Sequence, residues 1–125
     1  MAVKAEVPLT RLHLRRARGF LGRLVGLLGR SRMGYDEAFL IEHCAAIHTI
    51  GMRMPIDVVF LSAHGVVINI YNCVRPGRVL RCPDAAHVLE LAAGAAAQLI
   101  LRPGVTVAFG PATLCIAFTE REFPS

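Results

Sequence analysis

The side chains best suited to chemistry are concentrated in one short stretch, between His43 and Asp57. A thiol nucleophile is activated when an imidazole lowers its pKa and a carboxylate orients that imidazole. Cys44, His48 and Asp57 supply these three groups, and they converge if segment 45–49 pairs with segment 57–61. The sequence therefore contains the parts of a hydrolase or transferase that would use Cys44 or His48 with Asp57.

The spacing of the thiol and the imidazole does not favour this enzyme. In a strand, Cys44 and His48 would share a face but lie about 13 Å apart, at roughly 3.3 Å per residue. A catalytic hydrogen bond spans about 3 Å, so Cys44 would need an imidazole from elsewhere, such as His87. We expect Cys44 to fill core and His48 to be a hydrogen-bonded buried imidazole, and we assign no catalytic residue.

A binding site accounts better for the same stretch. Asp57 follows a Pro-Ile dipeptide at the start of an apolar strand, where it can accept backbone hydrogen bonds or contact a ligand beside His48. Glu90 lies among apolar neighbours and must point outward or pair with a cation such as Arg53, because unpaired buried carboxylates are costly. The candidate ligand-binding residues are His48, Thr49, Arg53, Asp57 and Glu90.

No metal site and no cofactor are predicted. The histidines and acids show no HxH or HExxH spacing, so a metal site would have to be assembled across the fold. The four cysteines form no CxxC pair, which argues against a zinc ribbon or a redox motif. Three of them sit in apolar, strand-like stretches, where a free cysteine behaves as a small hydrophobe.

Length and composition indicate a single domain. The chain has 125 residues, 54% of them hydrophobic, which excludes global disorder. Only 18% are charged. That fraction is low for a small monomer and favours a surface for a partner or for self-association. Assembly into a homo-oligomer is therefore one of the open alternatives.

The positive charge is concentrated near the amino terminus. The first 35 residues carry eight Lys and Arg against Glu6, a net charge of +7, and the other 90 carry −2, which together give +5. We predict a basic N-terminal arm over residues 1–17 and a single β-rich domain over residues 18–125. Such an arm attracts an acidic protein, an anionic surface or nucleic acid. No aromatic residues are interleaved with the early arginines, which disfavours stacking on bases.

The apolar run 19–29 follows two arginines and superficially resembles a signal peptide. Arg23 interrupts the run, and no A-x-A cleavage site follows it. No stretch reaches the roughly 18 apolar residues that a spanning helix needs. We therefore expect no membrane span and a cytoplasmic location.

Many short β-prone segments separated by turn signals predict the fold. Helical spacing occurs over residues 18–30, and a short helix is predicted over 95–101. Leu12 and Leu14 suit a short edge strand, and Ala63-His64-Gly65 suits a hairpin loop. Arg75-Pro76-Gly77 breaks the strand that follows this loop. We predict a mainly β (α+β) domain, a compact β-sandwich or barrel-like fold with one or two short helices. The predicted strands cover residues 38–41, 45–49, 57–62, 66–72, 87–91, 105–109 and 114–118.

Four segments match, in order, the pattern of a known bacterial and archaeal family. They are RGFLGR (18–23), IHTIGMRMPIDVVFL (47–61), GVV (65–67) and VLELAAG (88–94). On these residues the chain resembles the domain of unknown function 192 family, and its His-Thr-x-Gly-Met run is similar to one subset of that family. The resemblance implies a mostly β, barrel-like or sandwich domain. It implies no established activity, cofactor or partner.

The sequence thus predicts a small non-enzymatic binding or accessory domain, with a pocket or patch near His48–Asp57. Two alternatives stay open. One is the hydrolase or transferase that uses Cys44 or His48 with Asp57, and the other is a nucleic-acid-associated factor that acts through the basic arm.

Overall fold

Nine strands and one short helix make up the described part of the chain, which covers residues 10–18 and 30–117 of a computed structural model. The strands are β1 (Thr10–Arg18), β2 (Glu37–Glu42), β3 (Ala46–His48), β4 (Ile56–Leu61), β5 (Val67–Val74), β6 (Val79–Arg81), β7 (His87–Ala92), β8 (Thr106–Phe109) and β9 (Thr113–Ala117), and α1 (Ala95–Gln98) follows β7. Seven strands form one sheet in the order β5-β4-β7-β2-β1-β9-β8, and β3 pairs with β6 in a second sheet. Only β1 and β2 run parallel within these two sheets as described.

The large sheet curls until its two edges meet. The Val67 N–H donates to the Val105 carbonyl at 2.8 Å, and the Val107 N–H donates to the Gly65 carbonyl at 2.9 Å. Gly65 has a φ of 80°, and a Cβ there would collide with the Val107 carbonyl oxygen, so this junction requires glycine. The closure gives the barrel-like character that the sequence predicts.

Alternation along the strands sorts the apolar side chains into two cores. In β4, Val59 and Leu61 face the inside of the curled sheet, whereas Val58 and Phe60 face the opposite side. The inner core also takes residues of β1, β7, β9 and α1, and the outer core is covered by the small sheet through Ile47. Burial of these two surfaces is the main force that holds the domain together.

Most predicted elements are confirmed. The β4–β5 hairpin with its Gly65 turn, the strands β2, β3, β7, β8 and β9, and the short helix α1 all lie where the sequence places them. β6 was not predicted, and β3 pairs with β6 rather than with β4, whose neighbours are β5 and β7. The predicted helix over residues 18–30 falls largely on residues outside the described part.

The amino-terminal strand departs most from the prediction. β1 lies between β2 and β9 instead of at an edge, with Leu12 and Leu14 buried. The exposed Arg11 and Arg15 alternate with the buried Leu12 and Leu14, the pattern of a strand with one buried and one solvated face. The basic arm over residues 1–17 stays a prediction, and its residues before Thr10 lie outside the described part.

Within residues 10–18 and 30–117, no helix is long and apolar enough to cross a membrane.

Candidate functional site

Asp57 is fully buried and binds three backbone N–H groups. One carboxylate oxygen, Oδ1, accepts from the Cys73 N–H at 2.8 Å. The other, Oδ2, accepts from the N–H groups of Gly94 at 3.0 Å and Ala96 at 2.9 Å, at the start of α1. The first N–H groups of a helix have no partner within it, so the carboxylate completes this helix start. Asp57 therefore joins β4, β5 and α1.

A β-bulge explains why Cys73 needs this partner. Between two consecutive residue pairs, β5 carries one residue more than β4, so Asn72 and Cys73 both lie opposite Asp57. A bulge removes a ladder hydrogen bond and bends the strand. Cys73 takes the left-handed conformation, with a φ of 51°, and its side chain is exposed. Asp57 thus holds a kinked strand end whose thiol faces solvent.

Replacing Cys73 with glycine is expected to stabilise the domain by about 1 kcal/mol, because glycine adopts a positive φ without the steric cost that other residues carry. Urea denaturation followed by circular dichroism measures the change. Cys73→Ala is the matched control, since it removes the thiol but keeps the Cβ, and it should give no gain. A lower midpoint for Cys73→Gly than for the wild type would contradict this account of the bulge.

Thr49, also fully buried, holds the turn between β5 and β6. Its Oγ1 donates to the Arg75 carbonyl at 2.7 Å and accepts from the Arg78 N–H at 2.8 Å. Its backbone N–H donates to the Arg78 carbonyl at 2.8 Å, and its carbonyl accepts from the Gly77 N–H at 3.1 Å. Four hydrogen bonds from one residue therefore fix the path of residues 75–78.

A groove of about 620 Å³ opens between β5 and β6, beside this turn. Tyr71 and Leu80 give it an apolar wall backed by the outer core, and the Tyr71 ring meets Phe60 edge to face at 5.9 Å. Arg75 and Arg78 line the groove and are exposed. Among the described residues, no carboxylate forms an ion pair with either guanidinium. The groove therefore combines apolar surface with two positive charges that no described carboxylate neutralises.

The five predicted binding residues are not gathered around one cavity. Asp57 pairs with Leu91 across β4 and β7, and Val58 pairs with Glu90. Successive side chains of a strand point to opposite faces. Asp57 thus faces the inner core, and Glu90, also fully buried, faces the outer core.

Two of the other predicted residues, His48 and Arg53, lie nearer the surface. His48 is half-buried at the end of β3 and pairs with Val79, and Arg53 is exposed on the loop before β4. Thr49 and Asp57 contact the backbone that carries the groove. The arginines of the groove were missed because Arg75-Pro76-Gly77 was interpreted only as a strand break. Two arginines flanking a Pro-Gly turn were the available signal.

The predicted thiol site is not assembled around Cys44. Its Sγ donates to the Ala46 carbonyl at 2.8 Å, and both oxygens of Asp57 are occupied by backbone N–H groups. His87 instead contacts His43, whose backbone N–H donates to His87 Nδ1 at 3.1 Å, with the two rings 5.4 Å apart. In the described part of the chain, no group of three or more His, Cys, Asp or Glu side chains is arranged to hold a metal ion.

Acid is expected to destabilise the domain through His87. Burial, and then the nearby His43, lower the pKa of His87 below its ordinary value of 6.5, with Arg16 acting the same way and Glu42 opposing. As the pH drops through 6.5, His87 of the unfolded chain takes up a proton more readily than His87 of the folded domain. The free energy of unfolding therefore falls as the pH drops. Urea titrations at pH 7.5, 6.5 and 5.5 should show a steeper decline for the wild type than for His87→Gln. Parallel declines would contradict the assignment to His87.

Comparison with known proteins gives similar, uncharacterised structures. A crystal structure of a protein of unknown function from Novosphingobium aromaticivorans DSM 12444 has a TM-score of 0.69 and 25% identity, over 82% of this chain and 84% of that one. A protein from Sinorhizobium meliloti 1021, described as a proposed transcription regulator, has a TM-score of 0.68 and 25% identity, over 74% and 78% of the two chains. No curated protein matches the chain.

The model of the DUF192 family, described as an uncharacterized ACR family, matches residues 2–109. That range includes β1 to β8 with both the bulge and the groove. Because the match extends over most of the 125 residues, the resemblance found in the sequence is confirmed, and the chain belongs to the DUF192 family, whose function is uncharacterised.

Proposed function

We propose that this domain is a non-enzymatic binding module whose groove between β5 and β6 holds a small anion with an apolar body. One observation carries the proposal. An apolar wall and two arginines without an acidic partner among the described residues line the same groove.

The chemistry of the lining defines the ligand class. Guanidinium groups bind carboxylates and phosphates through paired, charge-assisted hydrogen bonds. Arg75 and Arg78 each place a guanidinium group at the groove. The apolar walls suit an aliphatic or aromatic ligand body, since burial of such surface contributes about 25 cal/mol per Å². A volume of about 620 Å³ is that of a small-molecule site.

The buried polar residues contribute rigidity to this site. A binding surface that is already ordered loses less conformational entropy when its ligand arrives. Thr49 fixes the turn that carries both arginines, and Asp57 fixes the bulged end of β5. Both act as positioning residues that need not touch the ligand. His48, Arg53 and Glu90 are not required for this groove.

Nuclear magnetic resonance titration tests the groove directly. Phenyl phosphate and hexanoate, added to ¹⁵N-labelled protein, should shift the amide signals of residues 70–80, whereas neutral hexanamide should not. Arg75→Ala/Arg78→Ala should weaken phenyl phosphate binding at least tenfold. The exposed Arg102 lies outside the groove, so Arg102→Ala is the control and should leave binding unchanged. Shifts that centre elsewhere, or that survive the double substitution, would refute the proposal.

Association with nucleic acid is the second candidate. It is favoured by the similarity to the Sinorhizobium meliloti protein described as a proposed transcription regulator and by the net charge of +5. Binding through phosphates weakens steeply with salt, because it releases counterions. Fluorescence anisotropy with a random 20-base-pair duplex at 50 and 200 mM salt measures this dependence. Absence of binding at 50 mM salt would exclude this candidate.

A further inference from the structure

The small sheet has an outward face that the groove does not use. Opposite residues of an antiparallel pair lie on the same face, and β3 and β6 pair Ile47 with Leu80 and Ala46 with Arg81. Ile47 is buried in the outer core, and Leu80 packs against that core. Val79 and Arg81 therefore face away from the core, and both are exposed.

Positive charge predominates along this sheet, although the exposed Asp84 follows Arg81 by three residues. Residues 46–81 contain a single acidic residue, Asp57, and it is fully buried. The same residues expose two aliphatic side chains, Ile50 at 55% and Val79 at 64%. The surface is thus basic with apolar contact area, and it presents four exposed arginines: Arg53, Arg75, Arg78 and Arg81.

β6 also presents an open backbone edge. The Thr49 N–H donates to the Arg78 carbonyl and the Cys82 N–H donates to the Ala45 carbonyl, both at 2.8 Å. Hydrogen-bonded and non-hydrogen-bonded pairs alternate along antiparallel strands, so the backbone N–H and carbonyl groups of Leu80 point toward β3. The N–H and carbonyl groups of Val79 and Arg81 point away from β3. No backbone partner for them occurs within the described residues.

We propose that an extended acidic segment of a partner protein adds to β6 as a further strand. Added strands bind through backbone hydrogen bonds, while side-chain contacts give selectivity. Here the Val79 and Arg81 backbone supplies the bonds, and the arginines select carboxylates. A second copy of this chain would bring the same four arginines against its own, so repulsion disfavours a symmetric pair. The added strand would share Arg75 and Arg78 with the groove, whereas Val79 and Arg81 do not line it, so substitutions at these two residues separate the two proposals.

One substitution removes the proposed pairing with little other change. Val79→Pro deletes an N–H that points away from β3, and proline is tolerated at an edge position of that kind. Val79→Ala keeps the N–H and serves as its control. Arg81→Glu reverses a charge on the proposed face. Arg102→Glu makes the same charge change on the turn before β8 and controls for net charge.

Fluorescence anisotropy with a labelled (Glu-Val)5 peptide measures the binding. We expect (Lys-Val)5 not to bind. Val79→Pro and Arg81→Glu should each weaken (Glu-Val)5 binding at least tenfold, whereas Val79→Ala and Arg102→Glu should change it less than threefold. Two (Glu-Val)5 peptides, one N-methylated at every Glu and the other at every Val, are the two N-methylated registers, and they test the same hydrogen bonds on the wild-type protein. One of the two should bind at least tenfold more weakly than the unmethylated peptide.

Three results would overturn the proposal. Unchanged affinity for both N-methylated registers would show that no strand pairing occurs, whether or not Val79→Pro folds. Tighter binding to phosphatidylserine vesicles or to duplex DNA than to (Glu-Val)5 would assign the face to a different partner. A dimer at micromolar concentration in sedimentation, lost in Val79→Pro, would assign the β6 edge to a second copy.

Discussion

Substitution of Asp57 by alanine is expected to lower the free energy of unfolding by about 3–5 kcal/mol, a large share of the stability of a small domain. The carboxylate is fully buried and accepts from the N–H groups of Cys73, Gly94 and Ala96. Alanine leaves all three donors without an acceptor. Each buried donor without a partner costs about 1–3 kcal/mol, and partial relaxation reduces the sum.

Asp57→Asn separates hydrogen bonding from side-chain volume. The asparagine amide has nearly the shape of the carboxylate, but its nitrogen donates and cannot accept. In either orientation that nitrogen meets an N–H, that of Cys73 or those of Gly94 and Ala96. We therefore expect a loss of about 2–3 kcal/mol, closer to alanine than to the wild type.

Guanidinium chloride denaturation followed by circular dichroism measures both losses. Asp84→Asn makes the same charge change at an exposed acid, and it should stay within about 0.5 kcal/mol of the wild type. A loss of less than about 1 kcal/mol for Asp57→Ala would mean that water or rearranged backbone satisfies the three donors. Asp57 would then not be the group that joins the bulge to α1.

The residues that were predictable from sequence carry local signals. Alternating apolar residues on either side of Ala63-His64-Gly65 were enough for the β4–β5 hairpin, because loop length and a glycine at positive φ define such a turn. The short helix followed from alanines after a glycine. The acid Asp57 was also recognised as a group that must find partners, because an apolar strand offers it none.

The hydrogen-bond partners of Asp57 were not predictable, because they are distant in sequence. Gly94 and Ala96 lie 37 and 39 residues away, and the bulge that releases the Cys73 N–H is a property of two paired strands. β6 carries no usable periodicity, since it has only three residues and Val79 is exposed. The interior position of β1 depends on its pairing with β2 and β9, which strand composition does not specify.

The groove shows the same division between local and distant information. The turn at Arg75-Pro76-Gly77 was recognised from sequence. Arg75 and Arg78 become groove residues only because β6 does not pair with β5 and leaves an opening beside them. Thr49 was selected from the His48–Arg53 stretch as a ligand contact. The structure places its hydroxyl against the Arg75 and Arg78 backbone. Thr49, which was predicted to contact a ligand, thus lies where it can position the groove arginines through the turn.

Thr49→Val is the second substitution with a large expected effect, a loss of about 2–3 kcal/mol. Valine has a similar shape but no hydroxyl, so the Arg75 carbonyl loses a donor and the Arg78 N–H loses an acceptor. The backbone hydrogen bonds of Thr49 persist, so β3 and β6 stay paired while the turn loosens. Because the turn carries both arginines of the groove, phenyl phosphate should also bind several-fold more weakly.

Thr49→Ser is the matched control, because it keeps the hydroxyl and loses only a methyl group. We expect it to cost about 1 kcal/mol, the value of one buried methyl group, and to leave phenyl phosphate binding unchanged. Chemical denaturation and the NMR titration, run on both variants, separate two roles. If valine lowers stability but not affinity, Thr49 supports the fold alone. If valine behaves as serine does in both measurements, the hydroxyl does not hold the turn, and the groove is not preorganised through Thr49.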